Sequence, residues 1–167
     1  DVLAFNGSGR APAGATVDPS SGTFSWTPTE AQGPSTNVIT LIVTDNGTPP
    51  LSTPRNFTVA VLESNEPPAL APIADHSIHA GMTLTLTNSA TDPDIPTNTL
   101  TYQVYPGPAG ASVDPTNGIF TWTPDNSFAG TTNSVTIVVT DNNPWAINAQ
   151  QLSDARTFQV YVAPPLM

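Results

Sequence analysis

Two short stretches concentrate the residues able to do chemistry. Glu63-Ser64-Asn65-Glu66-Pro67-Pro68 is an acidic segment stiffened by two prolines, and Thr91-Asp92-Pro93-Asp94 places two carboxylates one residue apart. Carboxylates gathered at one place repel each other and raise one another's pKa unless a cation sits among them. Calcium is the expected ion, because it is hard and takes about six to eight oxygen ligands. Asp and Asn also favour turns through their own hydrogen bonds, so solvated turn acids are the competing expectation for the same residues.

Other chemistries find little support. His76 and His79 are the only histidines, and three residues apart in an expected strand they point to opposite faces, a poor metal pair. No Ser-His-Asp spacing, Gly-x-Ser-x-Gly elbow or phosphate loop is present. Paired acids suit a glycosidase, but these lie in a linker and a turn with no aromatic-lined cleft implied. The chain is therefore not expected to be an enzyme.

Composition narrows the partners. Thirteen acids stand against three arginines (Arg10, Arg55, Arg156) and no lysine, giving a formal charge of −10. Nucleic-acid binding relies on basic patches, so nucleic acid and anionic membrane surfaces are poor partners. No apolar run approaches the length of a membrane-spanning helix. With no cysteine, disulfides say nothing about redox compartment. Abundant Thr, Ser, Asn, Pro and Gly with 10% charged residues suit an extracellular all-β protein. Disorder is the competitor for such a composition, but 38% of residues are hydrophobic and they fall in strand-like runs. Asn6-Gly7-Ser8, Asn46-Gly47-Thr48 and Asn56-Phe57-Thr58 are acceptor sequences for N-glycosylation.

The elements that must position the acids repeat along the chain. Pro12-Ala13-Gly14-Ala15, Val17-Asp18-Pro19, Gly22-Thr23-Phe24-Ser25-Trp26-Thr27-Pro28 and Val43-Thr44-Asp45-Asn46 recur 96 residues later. They reappear as Pro108-Ala109-Gly110-Ala111, Val113-Asp114-Pro115, Gly118-Ile119-Phe120-Thr121-Trp122-Thr123-Pro124 and Val139-Thr140-Asp141-Asn142. Arg55-Asn56-Phe57 matches Arg156-Thr157-Phe158 at an offset of 101, so the second copy carries five extra residues within 143–154.

Apolar and polar residues alternate over 82–86 and 100–104, and β-branched residues crowd 38–44 and 135–140, as strands require. Phe57, Val59, Val61 and Phe158, Val160, Val162 alternate again and close each unit. Asp-Pro and Asn-Gly turns separate the runs, and no helical period is found. Short strands at this spacing point to antiparallel sandwiches. Phe24 with Trp26, and Phe120 with Trp122, share one strand face each. They are expected in the sandwich core, with both tryptophans buried at equivalent places, in preference to an aromatic platform for a sugar.

The order Gly-Ala-x-Val-Asp-Pro, Gly-x-Phe-x-Trp-Thr-Pro, Val-Thr-Asp-Asn-Gly-x-Pro-Pro-Leu-Ser, a closing strand and an acidic Pro-Pro linker resembles cadherin-like immunoglobulin domains. The nearest variety is the dystroglycan-type and Putative Ig kind of bacterial surface proteins. The resemblance covers almost the whole chain. It implies an all-β fold of tandem Ig-like, cadherin-like Greek-key β-sandwiches and calcium held between successive repeats. Carried over by motif, Glu30 takes the place of the family's basal acid. Glu63, Asn65 and Glu66 match its linker, Asp92 and Asp94 its Asp-x-Asp pair, Asn98 a downstream Asn and Asp141 its top Asp. Two Glu-for-Asp exchanges and Pro67 in place of a linker Asn imply one or two ions rather than three.

By this alignment residues 1–66 form an incomplete repeat lacking its first strands, to be completed by a neighbouring repeat or chain. Residues 67–167 form a complete repeat plus the start of the next linker. A chain that begins and ends mid-repeat is expected to be a piece of a longer array. The expected role is an extracellular or cell-surface structural and adhesion segment made rigid by calcium, with neighbouring repeats or like chains as partners. Alternatives are a carbohydrate- or protein-binding module presenting Trp145 from residues 143–154, and a strand-exchanging subunit of an extracellular filament.

Overall fold

The computed structural model describes residues 3–7 and 11–166. Ser8 of the first glycosylation sequence, Arg10 and Met167 lie outside the described residues. The chain divides into two compact units, Asp1–Glu63 and Ser64–Met167.

The first unit contains β1 (Leu3–Gly7), β2 (Thr16–Val17), β3 (Phe24–Ser25), a 3-10 turn at Glu30–Gln32, β4 (Ser35–Asp45) and β5 (Ser52–Val61). β1, β4 and β5 form one antiparallel sheet with β4 in the middle, and β2 pairs with β3. Ile39, opposite Phe57 in the ladder, is fully buried. Phe24 and Phe57 meet edge to face with ring centroids 5.3 Å apart.

The second unit contains β6 (Ala69–Leu70), β7 (His76–His79), β8 (Leu84–Thr87), β9 (Ala90–Thr91), β10 (Thr101–Val104), β11 (Ser112–Val113) and β12 (Ile119–Trp122). A 3-10 turn at Asn126–Phe128, β13 (Thr132–Thr140) and β14 (Ser153–Ala163) follow. One sheet runs β10-β13-β14-β7, the other β11-β12-β8, and β6 pairs with β9. β7 lies parallel to β14, and the other pairings are antiparallel. Alternation decides what each strand buries. Val135, Ile137 and Val139 of β13, Phe158, Val160 and Val162 of β14, and Phe120 and Trp122 of β12 form one core with Leu70, Ala80 and Tyr102. Phe120 meets Phe158 edge to face at 5.8 Å, the counterpart of the Phe24–Phe57 pair.

The repeat extends to single hydrogen bonds. Trp26 Nε1 donates to the Ala13 carbonyl at 3.2 Å, and Trp122 Nε1 to that of Ala109 at 3.1 Å. The Asp18 and Asp114 carboxylates each accept two backbone N–H groups of their own turns, Ser20 and Ser21 in one, Thr116 and Asn117 in the other. Those N–H groups hold both carboxyls below the usual range. Each turn ends in a glycine at positive φ, 73° at Gly22 and 69° at Gly118, where a Cβ would strike the Phe5 ring or the Asn88 carbonyl at 2.7 Å. The solvent faces carry cross-strand hydroxyl pairs, among them Thr44–Ser52, Thr136–Thr157 and Thr140–Ser153 at 2.8 Å.

Two expectations need correction. Trp122 is buried, but Trp26 is only half-buried. In the second unit Leu84 lies opposite Trp122, Leu86 lies opposite Phe120, and Phe128 stacks on the Trp122 ring edge to face at 5.3 Å. The first unit has no strand in the place of β8 among the described residues, and Gln32 occupies the position of Phe128. The alternation over 82–86 also overstates a strand. β8 starts at Leu84, because Met82 N–H closes a turn onto the His79 carbonyl at 3.1 Å with Gly81 at φ 84°.

Candidate metal centre

The acids of the second unit meet at the end where β9 leads into residues 92–98 and β13 leads into 141–152. The Asp92 carboxylate accepts the Asp94 N–H at 3.0 Å, an Asx turn that folds the Asp-x-Asp pair back on itself. Asp94, buried, accepts the Glu66 N–H at 3.1 Å, the Asn98 amide at 2.7 Å and the Asn143 amide at 3.2 Å. Asn98 also reaches Asp92 at 3.3 Å and the Asn65 side-chain oxygen at 3.4 Å. Asp141, at the end of β13 and buried, accepts the Leu152 N–H at 2.8 Å and the Asn65 amide at 3.0 Å.

One carboxylate oxygen on each of two acids is left over. Asp92 Oδ2 and Asp141 Oδ2 are buried with no hydrogen-bond partner. Burial pushes the Asp92 carboxyl above its ordinary range, and the charges of Asp94 and Asp141 push the same way. The Asp94 N–H and the Asn98 amide pull against them. Every donor to this set is a neutral amide. The ion pair of Arg156 with Asp154, at 2.7 Å, lies outside it. A buried anionic oxygen without a donor is costly, and a cation or an added proton would relieve that cost. Asp92, Asp94 and Asp141 are the residues that could hold a cation. The all-oxygen donor set, free of sulfur and imidazole, suits a hard ion.

The other expected ligands are placed as follows. Asn65 and Asn98 belong to the cluster. Glu66 joins it through its backbone N–H, while the residue itself is exposed. Glu30 and Glu63 belong to the first unit, where Glu30 opens the 3-10 turn and Glu63 follows β5, with carboxylate oxygens within 4.8 Å of each other. His76 and His79 do not form a site. His76 packs edge to face on Phe158 at 6.2 Å, and His79 Nδ1 meets the Pro164 carbonyl at 2.6 Å.

Two residues were not foreseen from the sequence. Asn143 is buried against Asp94, where the first unit has Gly47. Asn148, in the loop that carries the five extra residues, clamps the linker: its side chain accepts the Asn65 N–H and donates to the Asn65 carbonyl, both at 2.9 Å. The extra length of that loop was the available signal. Trp145 and Ile147 of the same loop are 68% and 65% exposed.

The Putative Ig domain family matches residues 2–62 and 67–163. The chain belongs to this family. Its repeats are cadherin-like in fold. The protocadherin GammaB4 extracellular domain superposes with a TM-score of 0.60 at 18% identity, over 97% of this chain and 28% of that one. Mouse cadherin-23 EC22-24 gives 0.64 at 18% identity, over 96% and 54%. Human CDH23 EC21-23 gives 0.61 at 21% identity, over 97% and 63%. The chain thus spans less than two thirds of each of these structures. No curated protein matches it at a significant level. Among the described residues no helix is long and apolar enough to cross a membrane.

Proposed function

We propose that this chain is a structural and adhesive segment of an extracellular or cell-surface protein, stiffened by calcium held by Asp92, Asp94 and Asp141. Asn98, the Glu66 carboxylate and the Asn65 side chain are further ligand candidates. In this reading residues 1–66 and 67–167 are successive repeats, the first incomplete. The observation that carries it is the pair of buried, partnerless oxygens, Asp92 Oδ2 and Asp141 Oδ2. Bound calcium supplies positive charge that turns mutual repulsion of these acids into a clamp. The protein's own part is preorganisation. Asn98, Asn143 and the Glu66 N–H fix Asp94, and Asn148 pins the linker backbone so that residues 64–66 cannot swing away.

Calorimetric titration of the chelated chain with calcium tests this, with magnesium and an Asp92→Asn, Asp94→Asn variant alongside. Saturable heat with calcium that the double variant lacks supports the site. No heat in the unmodified chain reduces these acids to turn residues.

Trp145 favours a second role. A solvent-facing tryptophan beside Ile147 is a suitable contact for a carbohydrate or a protein partner. Glycan-array and pull-down comparison of the unmodified chain with Trp145→Ser checks it.

A further inference from the structure

We propose that the second unit carries a binding site for one small uncharged ring bearing several hydroxyl groups, of pyranose size, in a cavity on its flank between residues 71–76 and 86–89. The site shares no residue with the acidic cluster or with the loop of Trp145.

The opening follows from how the chain changes layer. β6 pairs with β9, whereas β7 pairs with β14 in the other sheet. The Ala71 N–H, donating to the Ser89 carbonyl at 2.9 Å, ties down the start of the crossing. The Asp75 carboxylate, accepting the Gln159 N–H at 2.7 Å, ties down its end. Pro72, which has no N–H to offer either layer, lies between them. β7 and β8 are the outer strands of their two sheets. Among the described residues no strand bridges the seam between them, and a cavity of about 270 Å3 remains there.

The walls divide by chemistry. Ile73 and Leu86, both half-buried, pack against the core and give the cavity an apolar base. Thr87 and Ser89, both exposed, add hydroxyls at the rim. Asn88 is 6% exposed, and its side-chain nitrogen donates to the Gly118 carbonyl at 2.8 Å, which fixes the way the amide faces. Among the described residues nothing donates to its Oδ1, and that oxygen is not sealed from solvent. The His76 ring stands edge to face on Phe158 at 6.2 Å, and neither ring nitrogen has a hydrogen-bond partner among the described residues.

These walls select the guest. No charged side chain lines the cavity. An ion entering it would shed water and meet no counter-charge. A wholly apolar guest would leave the Asn88 oxygen without a donor. A hydroxyl group donates and accepts at once, so several on one ring match an amide oxygen, an imidazole and two hydroxyls together. The C–H face of the same ring lies on Ile73 and Leu86. The volume is below the range of about 300–1,000 Å3 for drug-sized ligands, which limits the guest to a single ring.

The test titrates methyl β-D-glucopyranoside, methyl β-D-galactopyranoside and methyl α-D-mannopyranoside into the isotope-labelled full chain in chelator, and reads amide chemical shifts by residue. Sodium glucuronate and cyclohexanol serve as charged and apolar controls. We expect saturable shifts at residues 73–76 and 86–89 with at least one glycoside, half-complete at about 1 mM or above, and binding of both controls about tenfold weaker or less. Ala74→Phe fills the cavity from an exposed position and should abolish the shifts. Asn88→Ala should weaken binding about tenfold, and Trp145→Ser should leave it unchanged. No saturable shift at these residues with any glycoside, an equal response to either control, or a response that survives Ala74→Phe overturns the proposal. Loss of the response in Trp145→Ser overturns it as well, by moving the sugar to the other loop.

Discussion

Phe57 and Phe158 close equivalent strands, meet equivalent phenylalanines edge to face and follow equivalent arginines, yet one is half-open to solvent and the other sealed. The same contrast runs through the two units. Among the described residues the first unit has one fully buried apolar side chain, Ile39, while the second builds a continuous core from both sheets. The shared motifs set hairpins, turns and the tryptophan anchor. Burial comes from what is laid over them, namely β7, β8 and the segment around Leu70 and Ile73. A repeat motif is thus sufficient for local geometry and insufficient for a core.

The largest expected effect separates the two tryptophans. Trp122→Ala should cost about 3–5 kcal/mol, the range for removing a fully buried large aromatic, and Trp26→Ala well under half of that. Urea melts of both variants decide it, and equal losses would erase the contrast in packing. Calcium should act next. At a free concentration a hundredfold above Kd, binding to the native state alone adds about 2.7 kcal/mol, so melting should shift by several degrees between calcium and chelator. Small-angle scattering with and without chelator checks the mechanical half, since an unchanged distance distribution would leave the ion without a stiffening role.

Asp92→Asn should then change sign with conditions. Burial and its neighbours raise the Asp92 pKa in the ion-free chain. The native state therefore holds that proton more tightly than the unfolded chain, and stability falls as pH rises from 3.8 through the raised native value. Asparagine removes that loss, so the ion-free variant should melt slightly higher near neutral pH, while its response to calcium disappears. A variant that melts lower in chelator would assign Asp92 a structural hydrogen-bonding role instead.

The smallest effect concerns Asp154, which accepts the Leu70 N–H at 2.9 Å and so ties β6 to β14. That bond holds its pKa below the ordinary value, helped by the Ala155 N–H and Arg156. Its contribution is present above pH 3.8 and is lost as pH falls through the lowered native value. Because the site is close to water, Asp154→Asn should cost less than about 1 kcal/mol. The first unit has Thr53 at this position and no counterpart of β6 among the described residues, so Thr53→Ala should leave its melt unchanged.

The paired motifs made the hairpins, the two Asp-Pro turns and the closing strands legible, because each rests on local chemistry repeated twice. Asp141 was legible for the same reason, and the Asp-x-Asp turn from its own spacing of two carboxylates. Trp26 misled, since its motif matches that of Trp122 while the residues that cover Trp122 have no counterpart among the described residues of the first unit. The β6 and β9 strands have two residues each, too short for any period to show. Asn143 and Asn148 are neutral amides in a loop, and only the fold reveals that one faces a buried carboxylate and the other a linker backbone.

The hydroxyl pairs that ladder the sheet faces carry a consequence for ionic strength. Thr44 with Ser52, Thr136 with Thr157 and Thr140 with Ser153 satisfy one another without charge, in places where many proteins set lysine opposite glutamate. With no lysine in the chain and one ion pair among the described residues, added salt has little cross-strand attraction to weaken. Its main effect is to screen repulsion among acids. The ion-free chain should therefore grow more stable in sodium chloride, a halophile-like response produced by an ordinary hydroxylated surface.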